Sequence, residues 1–283
     1  MSGDGPVPAA PPSDLGRQAV RGASHLAVRQ GAGLLIAGGG ALTLTRLVGP
    51  GSYGLYASSY AVTTFVVAVT RFGVDAALSQ RADEPDDSTL RSAFWFLVAT
   101  GCAVGFLGLA AGWTFGDVLG TADLRAPLGT MLALTPICLL SVVPIAMLER
   151  RLDYQKVAVL ELSGQTLYYA VSLPLAATGA GVWAPIAGYA TWQAWTGIAG
   201  CVAAGFRPRL RWSPTEIRPL LRYGATYTAS ERVWMLRTLV LPVLVGRVVG
   251  PVGVGYLALS MRLCELLSFV RQATARVAFA SFA

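Results

Sequence analysis

Charged side chains set inside long apolar runs are the residues with chemistry to offer in this chain. Arg237, Arg262 and Glu265 fall near the middle of two such runs, while Arg29, Arg71, Asp75 and Arg232 lie closer to the ends of others. A guanidinium fork matches the oxygens of a phosphate, so Arg237 and Arg262, with Arg29 and Arg71 behind them, are candidates to hold an anionic group. Glu265 is the deep carboxylate that would carry a coupling proton or cation, and Asp75 is a second candidate. Each also has a structural reading. Arg262 and Glu265 are spaced i, i+3, and Arg71 and Asp75 i, i+4, spacings that pair on one helix face. An arginine near the end of an apolar helix can reach its head out to water.

Two polar stripes accompany these charges. Glu161, Gln165, Tyr168 and Ser172 recur at helical spacing on one face of a run, and Tyr53, Tyr56, Tyr60 and Thr63 do so on another. Polar groups cannot face hydrocarbon cheaply, so both stripes must face protein or water. They read either as helix packing or as the wall of a cavity that binds sugar hydroxyls, with Tyr60, Glu161, Gln165 and Tyr168 as binding candidates. Gly101, Gly105, Gly108 and Gly112 form paired GxxxG spacings suited to close helix approach. Other chemistries lack their residues. His25 is the only histidine, Cys102, Cys138, Cys201 and Cys264 stand far apart as small packing residues, and Gly31, Gly33 and Gly38 follow no strand. Asp83, Glu84, Asp86 and Asp87 read as a solvated turn. No metal site, cofactor or catalytic set is expected.

These residues need helices in lipid to position them. Of 283 residues 54% are apolar and only 13% charged, and mean hydropathy is +0.56; soluble domains carry about 25% charged residues. A spanning helix needs about 20 apolar residues, and runs of that length are expected near 26–48, 53–74, 92–115, 127–148, 157–178, 182–206, 226–248 and 254–279. An arginine at the centre of such a helix costs about 2.5–3.5 kcal/mol, which is why the deep ones call for a function or a partner. The net charge of +7 is nearly all arginine, with Lys156 the only lysine. The arginines cluster between alternate runs, at Arg81 and Arg91, at Arg150 and Arg151, and from Arg207 to Arg222, which is membrane topology and not a nucleic-acid face. The expected protein is an all-α, polytopic transmembrane bundle of about eight helices in the cell membrane, with a cytoplasmic N-terminus.

An internal repeat organises the chain. Residues 46–59, RLVGPGSYGLYASS, align without gaps to residues 247–260, RVVGPVGVGYLALS, with Gly49-Pro50 matching Gly250-Pro251. In each copy the Gly-Pro is read as the turn of a helical hairpin. Six intervening spans give both copies one orientation, the arrangement of parallel repeats about an axis along the membrane normal. The expected organisation is a disordered cytoplasmic tail (1–24), a six-helix lobe (25–206), a basic cytoplasmic linker (207–225) and the first two helices of an incomplete second lobe (226–283).

The stretches RLVGPGSYGLYASSYAVTTFVVAVTRFGVDAALSQR, LERRLDYQKVAVLELSGQTLYYAVSLPLAATGAGVWAPIAGY and GRVVGPVGVGYLALSMRLCELLSFVRQATARVAFASF together resemble the Wzx-type polysaccharide flippases of the multidrug/oligosaccharidyl-lipid/polysaccharide exporter superfamily. The resemblance implies paired six-helix lobes around a central cavity, alternating access, and translocation of a polyprenyl-pyrophosphate-linked oligosaccharide for polysaccharide biosynthesis. Family members often carry an acidic residue where Leu241 stands and a proline where Ala280 stands. The expected partners are a lipid-linked oligosaccharide, membrane lipid, a coupling proton or sodium ion, and a glycan polymerase or glycosyltransferase, with no nucleic acid. Alternatives are a multidrug or cation exporter of the same superfamily, a membrane enzyme of glycan assembly, and a truncated non-transporting copy. A cation exporter would favour cavity carboxylates, and an enzyme of glycan assembly would need catalytic carboxylates or a large loop domain, whereas the loops here are short.

Overall fold

The computed structural model describes residues 38–80, 85–118, 122–227, 229–261 and 263–264. The fold is all-α, as the sequence predicts, and no strand occurs among these residues. In chain order the helices are α1 (38–48), α2 (Pro50–Thr70), α3 (Val74–Gln80), α4 (Asp87–Val118), α5 (Arg125–Ala133), α6 (Thr135–Leu139), α7 (Val142–Arg150), α8 (Tyr154–Ala177), α9 (Trp183–Ala204), α10 (Pro214–Tyr227), α11 (Ala229–Val249) and α12 (Pro251–Met261).

Two stretches, Asp87–Ala110 and Arg125–Arg150, combine spanning length with mean hydropathies of 2.0 and 2.3. Helices α2, α8, α9 and α11 have 21, 24, 22 and 21 residues, and about 20 residues at 1.5 Å each reach across 30 Å of hydrocarbon. Phe106, Leu107, Ile198 and Val202 stand 75%, 64%, 64% and 78% exposed. An outer surface of this kind suits lipid contact.

Glycine and proline decide where these helices start, break and touch. Gly49, at φ 82°, turns the chain out of α1, and Pro50 opens α2, where its locked φ fits the first helical turn and its missing N–H costs nothing. The run expected as one span at 127–148 falls within the spanning stretch Arg125–Arg150, which is built as three short helices in series. Pro136 and Pro144 each fall in the first turn of the helix after a break, at Leu134 and at Leu140–Ser141; neither ring nitrogen can donate to the preceding turn. Helix α4 lies against this broken span through the glycine face. A Cβ on Gly101 would sit 2.9 Å from Pro136 Cα, and one on Gly108 2.6 Å from Leu132 Cβ. Gly112 lies in α4, with its surroundings outside the described side chains.

Helix α2 ends at Thr70, short of the expected 74. Arg71 to Gly73 form a turn in which Phe72 (φ 50°) and Gly73 (φ 69°) are left-handed, and α3 then leaves in a new direction. Gly73 has a second reason to be glycine, since a Cβ there would be 2.5 Å from the Gly224 carbonyl oxygen on α10. The segment expected as a linker therefore carries an amphipathic helix, α10, which buries Ile217 and Leu220 against α3 and α4. Helices α8 and α9 form a tight hairpin, with Gly164 seated on the Trp192 ring and Gly188 on Ser172 and Tyr168. Helix α11 packs along α2. The bundle thus has one end marked by the Gly-Pro turns and another, the basic end, marked by Arg71, Arg150, Arg151 and the 207–222 arginines.

Candidate functional site

The interior face shared by α2, α8 and α9 is a belt of tyrosines. Residues three and four apart share a helix face, so Tyr53, Tyr56 and Tyr60 stack down one side of α2, with ring centroids 6.0 and 5.9 Å apart. Helix α9 sets Tyr189 edge-on to Tyr60 at 5.5 Å. From α8, the Tyr168 hydroxyl donates to the Tyr56 hydroxyl at 3.4 Å, and its ring meets Tyr169 and Trp192 edge-on at 4.8 and 6.2 Å. Tyr53, Tyr56, Tyr168 and Tyr189 are buried, while Tyr60 is 38% exposed and so presents the belt outward.

Hydrogen bonds fix the α9 side of this belt. Gln193 Nε2 donates to the Tyr189 hydroxyl at 2.9 Å, and Cys138 Sγ lies 3.3 Å from the same oxygen. Held from two sides, the Tyr189 ring is fixed in its T-shaped contact with Tyr60. An assembly of ring faces with hydroxyls at their tips suits an amphipathic guest: the rings take C–H surface and the hydroxyls both donate and accept.

Of the residues singled out in the sequence, Tyr60 and Tyr168 meet in this belt. Gln165 is half-buried one turn from Tyr168, and Glu161 is exposed a further turn away, so the α8 stripe runs from the belt toward the basic end. Thr63 and Ser172, which complete the two stripes, are fully buried. Arg71 follows Tyr60 on the same side of α2 by about three turns. It pairs with Asp75 at 3.7 Å, and the two side chains keep 37% and 40% exposure; an exposed i, i+4 pair is worth only about 0.3–0.5 kcal/mol. The pairing leaves Arg71 open to exchange its partner. Arg237 belongs to α11, with its side chain outside the described residues, where Arg29, Arg262 and Glu265 also lie.

Other arginines at the basic end are engaged in holding helices together. Arg150 Nη1 donates to the Leu78 carbonyl at 3.2 Å and Arg151 Nη1 to the Ala204 carbonyl at 3.0 Å. Ser79 donates to Glu149 at 3.3 Å, and Ser92 to Glu216 at the same distance. Among the described residues no group of three or more metal-type ligands occurs. Sequence reasoning missed Tyr189 and Gln193. Their i, i+4 spacing in an otherwise apolar helix was the available signal, and Cys138, read as packing, also bonds to the site.

Comparison with known proteins finds relatives of the sequence. The model of a family described as polysaccharide biosynthesis protein matches residues 43–283. The succinoglycan biosynthesis transport protein ExoT of Rhizobium meliloti (strain 1021) is 26% identical over 191 residues, covering 66% of this chain and 38% of that protein. The lipopolysaccharide biosynthesis protein WzxC of Escherichia coli (strain K12) is 27% identical over 220 residues, covering 73% of this chain and 42% of that protein. The chain thus spans about two-fifths of the length of these relatives. No solved structure matches it.

Proposed function

The chain belongs to the polysaccharide biosynthesis protein family, and on that premise we propose that it is a flippase. It moves a polyprenyl-pyrophosphate-linked oligosaccharide across the cytoplasmic membrane by alternating access, for polysaccharide biosynthesis. The observation that carries this reading is the tyrosine belt on α2, α8 and α9, with Arg71 beyond it on the same side of α2. A lipid-linked glycan has a sugar portion that uses ring faces and hydroxyls and a pyrophosphate that uses guanidinium forks. Tyr60, Tyr168, Gln165 and Glu161 would line the sugar path, Arg71, Arg237, Arg262 and Arg29 would take the pyrophosphate, and Glu265 or Asp75 would carry a proton or sodium ion.

In this reading the basic end faces the cytoplasm, because arginine-rich loops are retained there, and the N-terminus lies on the same side. Residues 25–206 form one lobe, 207–225 a linker and 226–283 the opening hairpin of a second lobe. A glycan polymerase or glycosyltransferase would work beside it. The test is glycan export in cells that lack their own flippase. Alanine at Arg237 or Arg262 is expected to reduce export at least tenfold, and alanine at Tyr60 to reduce it while leaving the protein in the membrane. Normal export by either arginine variant would remove the phosphate-holding role, and normal export by the Tyr60 variant would remove the sugar wall. An unaltered chain that inserts but moves no glycan would rule out independent transport.

A further inference from the structure

A groove of about 630 Å³ opens on the outer surface where α4, α6 and α9 meet the chain beyond α9, a size within the ~300–1,000 Å³ of small-molecule sites. Phe94, Leu140, Ile198, Val202, Phe206 and Arg207 line it. The groove faces away from the tyrosine belt. At 3.6 residues per turn, Ile198 and Val202 stand about 180° and 220° around α9 from Tyr189. Its walls are apolar apart from one end, and that end is charged.

The charged end is held in place by backbone geometry. Gly205, at φ 67°, closes α9, and the Phe206 N–H returns to the Cys201 carbonyl at 2.9 Å. This turn tucks the Phe206 ring into the bundle against Phe94, centroids 5.4 Å apart, and leaves Arg207 exposed at the rim. The Trp95 indole donates to the Arg209 carbonyl at 3.1 Å, pinning the next stretch across the same rim. Arg207, Arg209 and Arg211 thus alternate with the exposed Leu210 (81%) and Trp212 (54%). Cations interleaved with an aromatic and an aliphatic side chain, at the end of a helix whose outer face carries the exposed Ile198 and Val202, match the headgroup layer of a membrane.

We propose that this groove is a binding site for an anionic glycerophospholipid of the leaflet at the basic end, with an acyl chain along Ile198 and Val202 and the phosphate on Arg207 and Arg209. The apolar trough and the cationic rim complement the two halves of such a molecule, and the groove's position on the side opposite the tyrosine belt separates it from the proposed transport path. The site goes beyond the flippase reading and does not depend on it, because it requires only that the chain lie in a membrane.

The test uses the full chain, purified and reconstituted in bilayers containing equal dioleoylphosphatidylglycerol and dioleoylphosphatidylcholine, with retained lipid counted by native mass spectrometry. The unaltered protein should retain phosphatidylglycerol at least tenfold over phosphatidylcholine. The double variant Arg207→Gln/Arg209→Gln should lose that preference, whereas Arg46→Gln, on the opposite end of the bundle, should keep it. Val202→Trp, which fills the trough without touching the rim, should reduce total retention of the preferred lipid. Equal retention of the two lipids by the unaltered protein overturns the proposal, as does an unchanged preference in the double variant. Displacement of phosphatidylglycerol by equimolar undecaprenyl phosphate would overturn it in favour of a carrier-lipid site.

Discussion

A Cβ at Gly188 would collide with the Ser172 hydroxyl and approach the Tyr168 carbonyl oxygen to 2.6 Å, so the register that brings α8 and α9 tyrosines together depends on that glycine. Valine at 188 would have to push the hairpin apart and is expected to cost about 1–3 kcal/mol, the usual penalty of overpacking, read as a lower melting midpoint in detergent. Tyr189→Phe is a gentler change. It keeps the ring edge on Tyr60 but takes the acceptor from Gln193 and the partner from Cys138, so a loss of about 1 kcal/mol is expected. Cys138→Ser, which replaces the thiol partner of the Tyr189 hydroxyl with a hydroxyl, should leave the midpoint within error. Tyr56, Tyr60 and Tyr168 were legible in the sequence because helical spacing put them on polar stripes. Tyr189 was not, because only its Gln193 partner lies on α9, and the contacts that place it in the belt, Tyr60 on α2 and Cys138 on α6, are made between helices and leave no periodicity within α9.

At the scale of elements, the glycine face of α4 was legible as a packing surface, and the prolines of the fourth apolar run were visible without revealing how completely they divide it. Whether a proline bends or breaks a membrane helix depends on the neighbours that take up the freed carbonyls, and these come from elsewhere in the chain. The start of α8 is readable on local grounds alone. Asp153 accepts from the Lys156 N–H at 3.3 Å and pairs with the Lys156 ammonium at 2.7 Å. The hydrogen bond from Lys156, aided by its charge, holds the Asp153 carboxyl below its ordinary value. Folding therefore favours the ionised form. The stabilisation is complete above the unfolded carboxyl value of about 3.9 and is lost as pH falls through the lowered native value. Asp153→Asn keeps a cap acceptor and removes the charge. The melting difference between it and the unaltered protein is expected to stay constant from pH 7 to about 5 and to close below about 4. A difference independent of pH would show that the charge contributes nothing.

For the whole molecule, the resemblance read from the sequence is borne out by the family match and by the names of the relatives, and the internal repeat has a three-dimensional counterpart. Gly49 and Gly250 both have φ 82°. The Gly49 N–H bonds the Thr45 carbonyl at 3.0 Å and the Gly250 N–H bonds the Gly246 carbonyl at 3.1 Å. Ser59 and Ser260 each return a hydroxyl to the carbonyl four residues back at 2.8 Å. The two copies also meet reciprocally, since a Cβ on Gly54 would strike the Pro251 carbonyl and a Cβ on Gly255 the Pro50 carbonyl. Sequence alignment revealed the likeness of the copies but not their contact, because a contact between like segments leaves no trace in either. This exchange of equivalent atoms is how a two-fold axis acts, and it places the axis between α2 and α12 at the Gly-Pro end. Gly51 and Val252 face each other across it, with a Cβ on Gly51 expected 3.8 Å from Val252 Cγ2, close to the reach of a disulfide. In a background lacking Cys102, Cys138, Cys201 and Cys264, Gly51→Cys/Val252→Cys is expected to close a disulfide under mild oxidation in the membrane, read as loss of both thiols to an alkylating reagent. Each single variant should keep its thiol. If the pair stays fully alkylated, the two Gly-Pro turns do not meet in the membrane and the axis is misplaced. If it closes, and oxidation also stops glycan export while reduction restores it, then the turns must part during transport, and the repeat is the moving joint of the machine.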